Sequence, residues 1–249
     1  METIAIDVRD VRKTFGSRTV LDGLSFSVPK GQVLALVGPS GGGKSTMLRC
    51  MTGLTPFEAG SIRVEDASLV PGGDKPNARA LETLRARSGL VFQQWHLFAH
   101  MTAIENVIEA PLHVKKTSRA DAIAKANALL EEVGLGHRAN AMPRDMSGGE
   151  QQRCAIARAL AMEPKVLFMD EPTSALDPQR VGDLVELLAK LRESAHLTLV
   201  VVTHEMSFAA RLADRAIVLH EGHLIEDGAP RDVLENPTDP RTRSFLGLE

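Results

Sequence analysis

A glycine-rich segment carries the residue types that bind phosphate. It fits the pattern G-x-x-x-x-G-K-[S/T] and consists of Gly38, Pro39, Ser40, Gly41, Gly42, Gly43, Lys44, Ser45 and Thr46. Glycines let successive backbone N–H groups turn toward one centre, and a following helix adds the positive end of its dipole. In this pattern the lysine reaches the β- and γ-phosphates and the serine hydroxyl binds Mg²⁺. The segment therefore predicts a site for a nucleoside triphosphate with Mg²⁺.

Two consecutive carboxylates, Asp170 and Glu171, follow a short run at residues 165–169 that is typical of a buried parallel strand. Ligands in open α/β sheets bind at the carboxyl ends of strands. Successive strand residues face opposite ways, so the two carboxylates can take different roles. We predict that Asp170 holds Mg²⁺, mainly through water, and that Glu171 polarises the attacking water as general base. A solvated turn before Pro172 is the alternative.

A second segment with the character of an anion site is Ser147-Gly148-Gly149, which precedes a predicted helix running through Leu160. Ser147 can cap that helix, and backbone N–H groups at a helix start can hold an anion. One chain has little use for two such sites on one triphosphate. The second would be explained if it served the nucleotide of another copy of the chain.

The elements that must position these residues follow an α/β pattern. In the first third we predict strands at residues 4–8, 20–28, 31–37 and 61–64 and a surface loop at 71–77. The stretch from about 102 to 160 is predominantly helical, with a helix at 120–133 that Gly134 closes as a C-cap. The last third returns to α/β alternation, with strands at 165–169 and 197–202, a helix at 183–192 and a hairpin at 216–225.

Composition limits the class of protein. The chain has 249 residues and a net charge of −3 at pH 7, so we expect no nucleic-acid partner, which would require an excess of Lys and Arg. No apolar stretch approaches the ~18 residues needed to cross a bilayer, and residues 1–10 are not typical of a secretory signal. Cys50 and Cys154 have no metal-ligand spacing, and we interpret both as buried core residues of a chain kept in a reducing cytosol.

Residues 146–153 complete a set of motifs that resembles the ATP-binding-cassette (ABC) family, whose signature begins Leu-Ser-Gly-Gly-Gln. The resemblance runs from Phe15 to about Gly228, with every family motif in order. It implies an α/β fold: a P-loop NTPase core sheet with an antiparallel β subdomain and an inserted, mostly helical subdomain. We therefore interpret the chain as a single ABC ATPase domain at 1–249, with its core at about 1–94 and 161–249 and its helical subdomain at about 95–160.

The resemblance also implies roles for four further residues. Phe15 matches the aromatic residue that stacks on adenine, although a core role is the alternative for this side chain. Gln93 matches the glutamine that contacts the metal and the attacking water. Asp177 matches the residue that crosses a dimer interface, and His204 matches the switch histidine near the γ-phosphate.

Two positions depart from the family signature. Met146 replaces Leu, which conserves side-chain volume. Glu150 replaces Gln, and a carboxylate there suits the helix dipole but would repel a nearby triphosphate. We assign nucleotide binding to Ser147, Gly148 and Gly149, with the phosphate contacts made by Ser147 and Gly149, and leave the role of Glu150 open.

The family resemblance implies a head-to-tail homodimer that binds two ATP molecules. Each ATP lies between the phosphate loop (residues 38–46) of one chain and the signature (residues 146–153) of the other. The resemblance implies transmembrane permease subunits as partners, and indirectly a solute-binding protein, which places the chain at the cytoplasmic face of the membrane. The apolar segment at 94–98 has two interpretations. Trp95 and Phe98 either pack in the core of the helical subdomain or line a groove for a short helix of a membrane subunit.

Four segments, at 92–94, 105–114, 171–177 and 203–206, are similar to ATPases of bacterial importers for polar amino acids, of the glutamine, histidine and arginine type. This likeness predicts an ATPase that powers import, without specifying the solute. An ATPase of a lipoprotein-release or cell-division complex is the alternative. Non-transport ABC ATPases fit less well, because those of translation carry two cassettes and those of DNA repair insert long coiled coils. A module that only binds nucleotide is disfavoured by Glu171, Gln93 and His204.

Overall fold

The computed structural model describes residues 3–71, 77–174 and 176–248. Most of the predicted loop at 71–77 lies outside these ranges. Within them the regular elements are β1 (Ile4–Phe15), β2 (Arg18–Pro29), β3 (Val33–Val37), α1 (Lys44–Met51), β4 (Ala59–Val64), β5 (Ala67–Leu69), α2 (Ala78–Arg87), β6 (Ser88–Val91), α3 (Ala103–His113), α4 (Arg119–Glu132), α5 (Gly148–Leu160), β7 (Val166–Asp170), α6 (Pro178–Ala195), β8 (Thr198–Val202), α7 (Met206–Leu212), β9 (Arg215–His220), β10 (His223–Gly228) and α8 (Pro240–Leu246).

The central sheet has six strands in the order β10-β9-β3-β8-β7-β6. Strands β9 to β6 in this order are parallel, and β10 forms the predicted antiparallel hairpin with β9. Every residue of β3, β7 and β8 is buried, which agrees with their apolar composition. The carboxyl ends of β3, β7 and β8 therefore meet at one edge of the sheet, where Leu36 and Asp170 both lie opposite Val202.

The two faces of this sheet belong to different cores, because side chains alternate along each strand. Leu167 and Met169 of β7 pack with α3 to α6, whereas Val166 and Phe168 pack with α1 and the antiparallel sheet. That second sheet has the order β2-β1-β4-β5. Both sheets and the helical part agree with the predicted fold class.

Local signals set the ends of the helices. Gly134, at φ 72°, follows α4, and the N–H groups of Gly134 and Leu135 donate to the carbonyls of Glu131 and Leu130. This pattern is a Schellman motif, which confirms the predicted C-cap. Helix α2, by contrast, lies in a region where we predicted only strands and turns. No helix in the described ranges combines the length and apolarity needed to span a membrane.

Candidate functional site

The glycine-rich loop joins β3 to α1 at the carboxyl edge of the central sheet. A Cβ atom at Gly38 would overlap the carbonyl oxygen of Leu219, and one at Gly43 would lie 2.9 Å from that of Val20. Gly38 and Gly43 also have φ values of 135° and 105°, which favour glycine. Gly43 is the N-cap of α1 and has no side chain to cap it, so the first N–H groups of α1 are open to an anion.

Lys44 lies inside the loop, and its side chain is nearly buried. Its Nζ donates to the carbonyl oxygens of Gly38 at 2.7 Å and Pro39 at 2.9 Å. Burial lowers the pKa of Lys44, while the carboxylates of Glu171 and Asp170 act in the opposite direction. The lysine therefore supplies a cation that is already held at the phosphate loop.

Ser45 and Asp170 are 125 positions apart in the chain and in contact in the fold. The Ser45 Oγ donates to Asp170 Oδ1 at 2.9 Å. Asp170 is the last residue of β7 and is 8% exposed. The structure thus brings two of the three predicted metal ligands, Ser45 and Asp170, together beside the phosphate loop.

Glu171 has a left-handed backbone, with φ 49°, and its side chain contacts His204, whereas that of Asp170 contacts Ser45. Its N–H donates to the carbonyl of Val202 at 2.8 Å, at the end of β8. Its Oε2 accepts from the backbone N–H of His204 at 3.2 Å and lies 2.7 Å from His204 Nδ1. The predicted base and the predicted switch histidine therefore form a pair, held by the ends of two adjacent strands.

Gln93 and Phe15 are both exposed, Gln93 after β6 and Phe15 at the end of β1. Gln93 is exposed in the turn after β6, whose Val91 pairs with Met169 of β7, next to Asp170. Phe15 is 53% exposed at the end of β1, with Lys13 Nζ 4.8 Å from its ring centroid. The core alternative for Phe15 is therefore wrong. Phe15 lines the same pocket as Arg18, Val20, Gly41, Gly43, Lys44, Ser45 and Thr46.

The start of α5 contains an interaction that the sequence reasoning missed. Ser147 is the N-cap, its Oγ accepts from the Glu150 N–H at 3.4 Å, and its own N–H donates to Glu150 Oε2 at 2.7 Å. Arg138 Nε lies 3.0 Å from Glu150 Oε1. The hydrogen bond from the Ser147 N–H is the main favourable cause of the lowered pKa of Glu150. The spacing Ser-x-x-Glu of a capping box is the signal that could have found it.

The signature segment packs against the loop that follows the acidic pair of the same chain. Gln152 Nε2 donates to the carbonyl of Pro172, and a Cβ at Gly149 would lie 3.6 Å from Leu176 and 3.4 Å from Arg180. The exposed Asp177 lies immediately before α6. Within the described ranges, no hydrogen bond or ion pair joins residues 147–149 to the phosphate loop of the same chain.

Trp95 and Phe98 of the apolar segment at 94–98 differ in burial. Trp95 is partly buried against the helical core, and Arg158 donates to the carbonyls of Trp95 and His96, at 2.7 Å each. Phe98 is 42% exposed, with its ring 5.7 Å from the Arg158 guanidinium. Trp95 thus packs in the core, whereas Phe98 lies at the surface.

The glycine loop before an uncapped helix, with a serine–aspartate pair beside it, defines a P-loop nucleotide-binding α/β protein. A family model described as "ABC transporter" matches residues 21–174. The chain belongs to this family, which confirms the resemblance.

Three known proteins show how far the similarity extends. The arginine transport ATP-binding protein ArgV of Corynebacterium glutamicum is 47% identical, over 99% of this chain and 98% of its own. The L-cystine transport system ATP-binding protein TcyN of Escherichia coli is 46% identical, over 97% of each chain. The solved dimer of the ATP-binding cassette MJ0796 with ADP and Pi has a TM-score of 0.79 and 32% identity, covering 91% of this chain and 99% of that one. The predicted fold class is thereby confirmed.

Proposed function

We propose that this chain is the ATP-hydrolysing subunit of a membrane importer for polar amino acids. The observation that carries hydrolysis is the Glu171–His204 pair next to the Ser45–Asp170 pair at an open phosphate loop. Import is supported by two near-full-length relatives, one named for arginine and one for cystine. These two relatives are almost equally identical to this chain but are named for different solutes. We therefore infer a class of solute, polar amino acids, and not a single compound. Neither name supports the lipoprotein-release or cell-division alternative.

ATP binds together with Mg²⁺ in this proposal. Mg²⁺ takes oxygen ligands and is held by one or two protein groups together with phosphates and water. The Ser45 hydroxyl and the Asp170 carboxylate fit this donor set, and Gln93 follows the neighbouring strand. When bound, the ion neutralises charge on the β- and γ-phosphate oxygens.

Different residues of the chain bind the nucleotide and accept the proton from water. Lys44 and the N–H groups of residues 38–46 hold the phosphates, and Phe15 stacks on adenine. Glu171 accepts a proton from water while the water oxygen bonds to the γ-phosphorus. The bond from that phosphorus to the β–γ bridging oxygen breaks, which releases ADP and phosphate. His204 orients Glu171 through its ring and its backbone nitrogen.

The complete site requires two copies of the chain. In the part of the chain that the structure describes, no hydrogen bond or ion pair joins residues 147–149 to the phosphate loop. We therefore place this anion site on the nucleotide of a partner copy, with Asp177 at the interface. Splitting phosphate ligands between two chains makes hydrolysis depend on closure of the dimer. The MJ0796 structure, from a protein of the same family, is a dimer bound to ADP and Pi, which supports a dimeric state.

The whole chain then acts as one ABC ATPase domain, with residues 95–160 as its helical subdomain. Its direct partners are transmembrane permease subunits, and its indirect partner is a solute-binding protein. These partners place the chain at the cytoplasmic face of the membrane. The surface position of Phe98, beside Arg158, supports a contact with a permease subunit in this region.

Uptake by whole cells tests the proposed function. Cells that lack the chromosomal copy would carry either the wild-type chain or the Lys44→Ala variant, and the uptake of labelled arginine, histidine, glutamine and cystine would be measured. We expect the wild-type chain to restore uptake of at least one of them and the variant to restore none. Normal uptake of all four in the deletion strain, combined with defective lipoprotein release, would overturn the importer assignment.

A further inference from the structure

The turn between β9 and β10 lies directly against the phosphate loop. Glu221 and Gly222 form this two-residue turn with φ values of 48° and 80°, as in a type I′ hairpin. The Gly222 N–H donates to the carbonyl oxygen of Gly42 at 3.2 Å, and the Gly222 carbonyl accepts from the N–H of Asp22 at 3.0 Å. One glycine therefore connects the hairpin, the phosphate loop and β2.

There is no room for a side chain at Gly222. A Cβ atom there would lie 2.7 Å from the carbonyl oxygen of Val20 and 3.0 Å from its carbon. Both atoms are backbone atoms of β2, so the clash could not be relieved by the movement of a neighbouring side chain. The turn itself would have to move. The same hairpin also packs beneath the loop through Leu219, whose carbonyl oxygen would lie 2.6 Å from a Cβ at Gly42.

The contact with Gly222 determines how one peptide group of the loop is oriented. In a trans peptide the C=O and the following N–H point in opposite directions. The Gly42 carbonyl points to the hairpin, so the N–H of Gly43 points away from the hairpin. The Gly42 N–H is already used, since it donates to Pro39 at 3.1 Å. The N–H of Gly43 is therefore the donor that the hairpin leaves free for an anion.

We propose that Gly222 is a positioning residue for phosphate binding, because it holds the Gly42–Gly43 peptide with its N–H directed at the nucleotide. This inference rests on the proposed function, since it assumes that the loop binds ATP. It adds a residue outside the loop, 180 positions downstream of Gly42, to those that determine nucleotide affinity.

The Gly222→Ala variant tests this proposal against a matched control. Loss of one hydrogen bond to a charged phosphate should raise the Kd of ATP and ADP about tenfold or more. The Kd of adenosine, which has no phosphate, should change less than about twofold, whereas general damage to the fold would affect both ligands. Gly134→Ala is the control, because Gly134 has a similar φ of 72° and open space around it. It should leave both affinities unchanged.

Amide hydrogen exchange in the wild-type chain provides a test that needs no variant. We expect the Gly222 amide to be protected without nucleotide, and the Gly43 amide to become protected only when ADP binds. Rapid exchange at Gly222, or unchanged ADP affinity in a folded Gly222→Ala variant, would overturn the positioning role. Failure of the wild-type chain itself to bind ATP would instead refute the proposed function.

Discussion

At the scale of single residues, the proposed chemistry depends on two side-chain pairs at adjacent strand ends. Ser45 contacts Asp170, and Glu171 contacts His204, so the metal ligands and the base are held separately although the two acids are consecutive. The backbone at Glu171 is left-handed directly after the end of β7. A residue in this conformation carries a cost of about 1–3 kcal/mol, which the surrounding structure has to offset.

Replacing the base without changing its shape should separate binding from hydrolysis. Glu171→Gln keeps the side-chain volume and removes the proton acceptor, so we expect an unchanged Kd for ATP and a turnover lower by about 10²–10⁴. Phosphate release and nucleotide binding would be measured on the same preparation. Glu82→Gln, an exposed residue of α2, is the control. Near-normal turnover in Glu171→Gln would contradict the assignment of the base.

Removing the exposed ring at Phe15 should weaken nucleotide binding without unfolding the chain. Stacking of a base on an aromatic side chain contributes about 1–3 kcal/mol, so Phe15→Ala should raise the Kd of ATP by roughly 5- to 150-fold. Phe98→Ala removes a ring of similar exposure that is remote from the pocket, and its Kd should match that of the wild type. Calorimetric titration with ATP measures both Kd values, and equal affinities in the two variants would refute the stacking role of Phe15.

At the scale of elements, the capping box of α5 makes a testable contribution to stability. Caps of this kind contribute about 0.5–2 kcal/mol, so Glu150→Ala should lower the free energy of unfolding by about 1 kcal/mol at pH 7. Glu150→Gln should lose less, because glutamine can also accept from the Ser147 N–H. Urea denaturation of the three proteins measures the difference.

The pH dependence of the same effect follows from the carboxylate. The pKa of Glu150 is lower in the folded chain than its ordinary value of 4.5, with the Ser147 hydrogen bond as the main favourable cause. A depressed pKa contributes stability that is complete above pH 4.5 and is lost as the pH falls through the folded pKa. The difference in the free energy of unfolding between wild type and Glu150→Ala should therefore become smaller in acid. A constant difference would show that the carboxylate charge is not involved.

Sequence patterns predicted the elements of the site better than the rest of the fold. Strands β3, β7 and β8 are buried on both faces, so they appear as short apolar runs. Helix α2 has one fully buried side chain, Leu84, and therefore almost no apolar periodicity. Strand β1 continues to Phe15, whereas the prediction ended at residue 8. Irregular pairing breaks the alternation of buried and exposed residues in β1, so the sequence pattern does not indicate its second half. The Glu150 contact lies within residues 146–153, where the Ser-x-x-Glu spacing of a capping box coincides with the family signature.

At the scale of the whole molecule, the separation of the two anion sites should make ATP hydrolysis depend on dimerisation. A single copy should bind ATP and barely hydrolyse it, because among the described residues no hydrogen bond or ion pair joins residues 147–149 to the phosphate loop of the same chain. Ser147→Arg should abolish turnover and leave ATP binding by the monomer intact. Ser118→Arg is the matched control, since Ser118 is also an exposed serine N-cap, on α4. Full activity of Ser147→Arg would contradict a composite site.

Mixing two inactive variants distinguishes a composite site from a simple folding defect. In a mixed dimer of Ser147→Arg and Glu171→Gln, one site combines the intact Glu171 of the first chain with the intact Ser147 of the second. The other site carries both substitutions. At equal amounts, random pairing makes half of the dimers mixed, so activity should recover to about a quarter of the wild-type value. Each variant alone should stay inactive at the same total concentration. If the mixture were as inactive as its components, Ser147 and Glu171 would have to act within one chain, and the head-to-tail arrangement would be wrong.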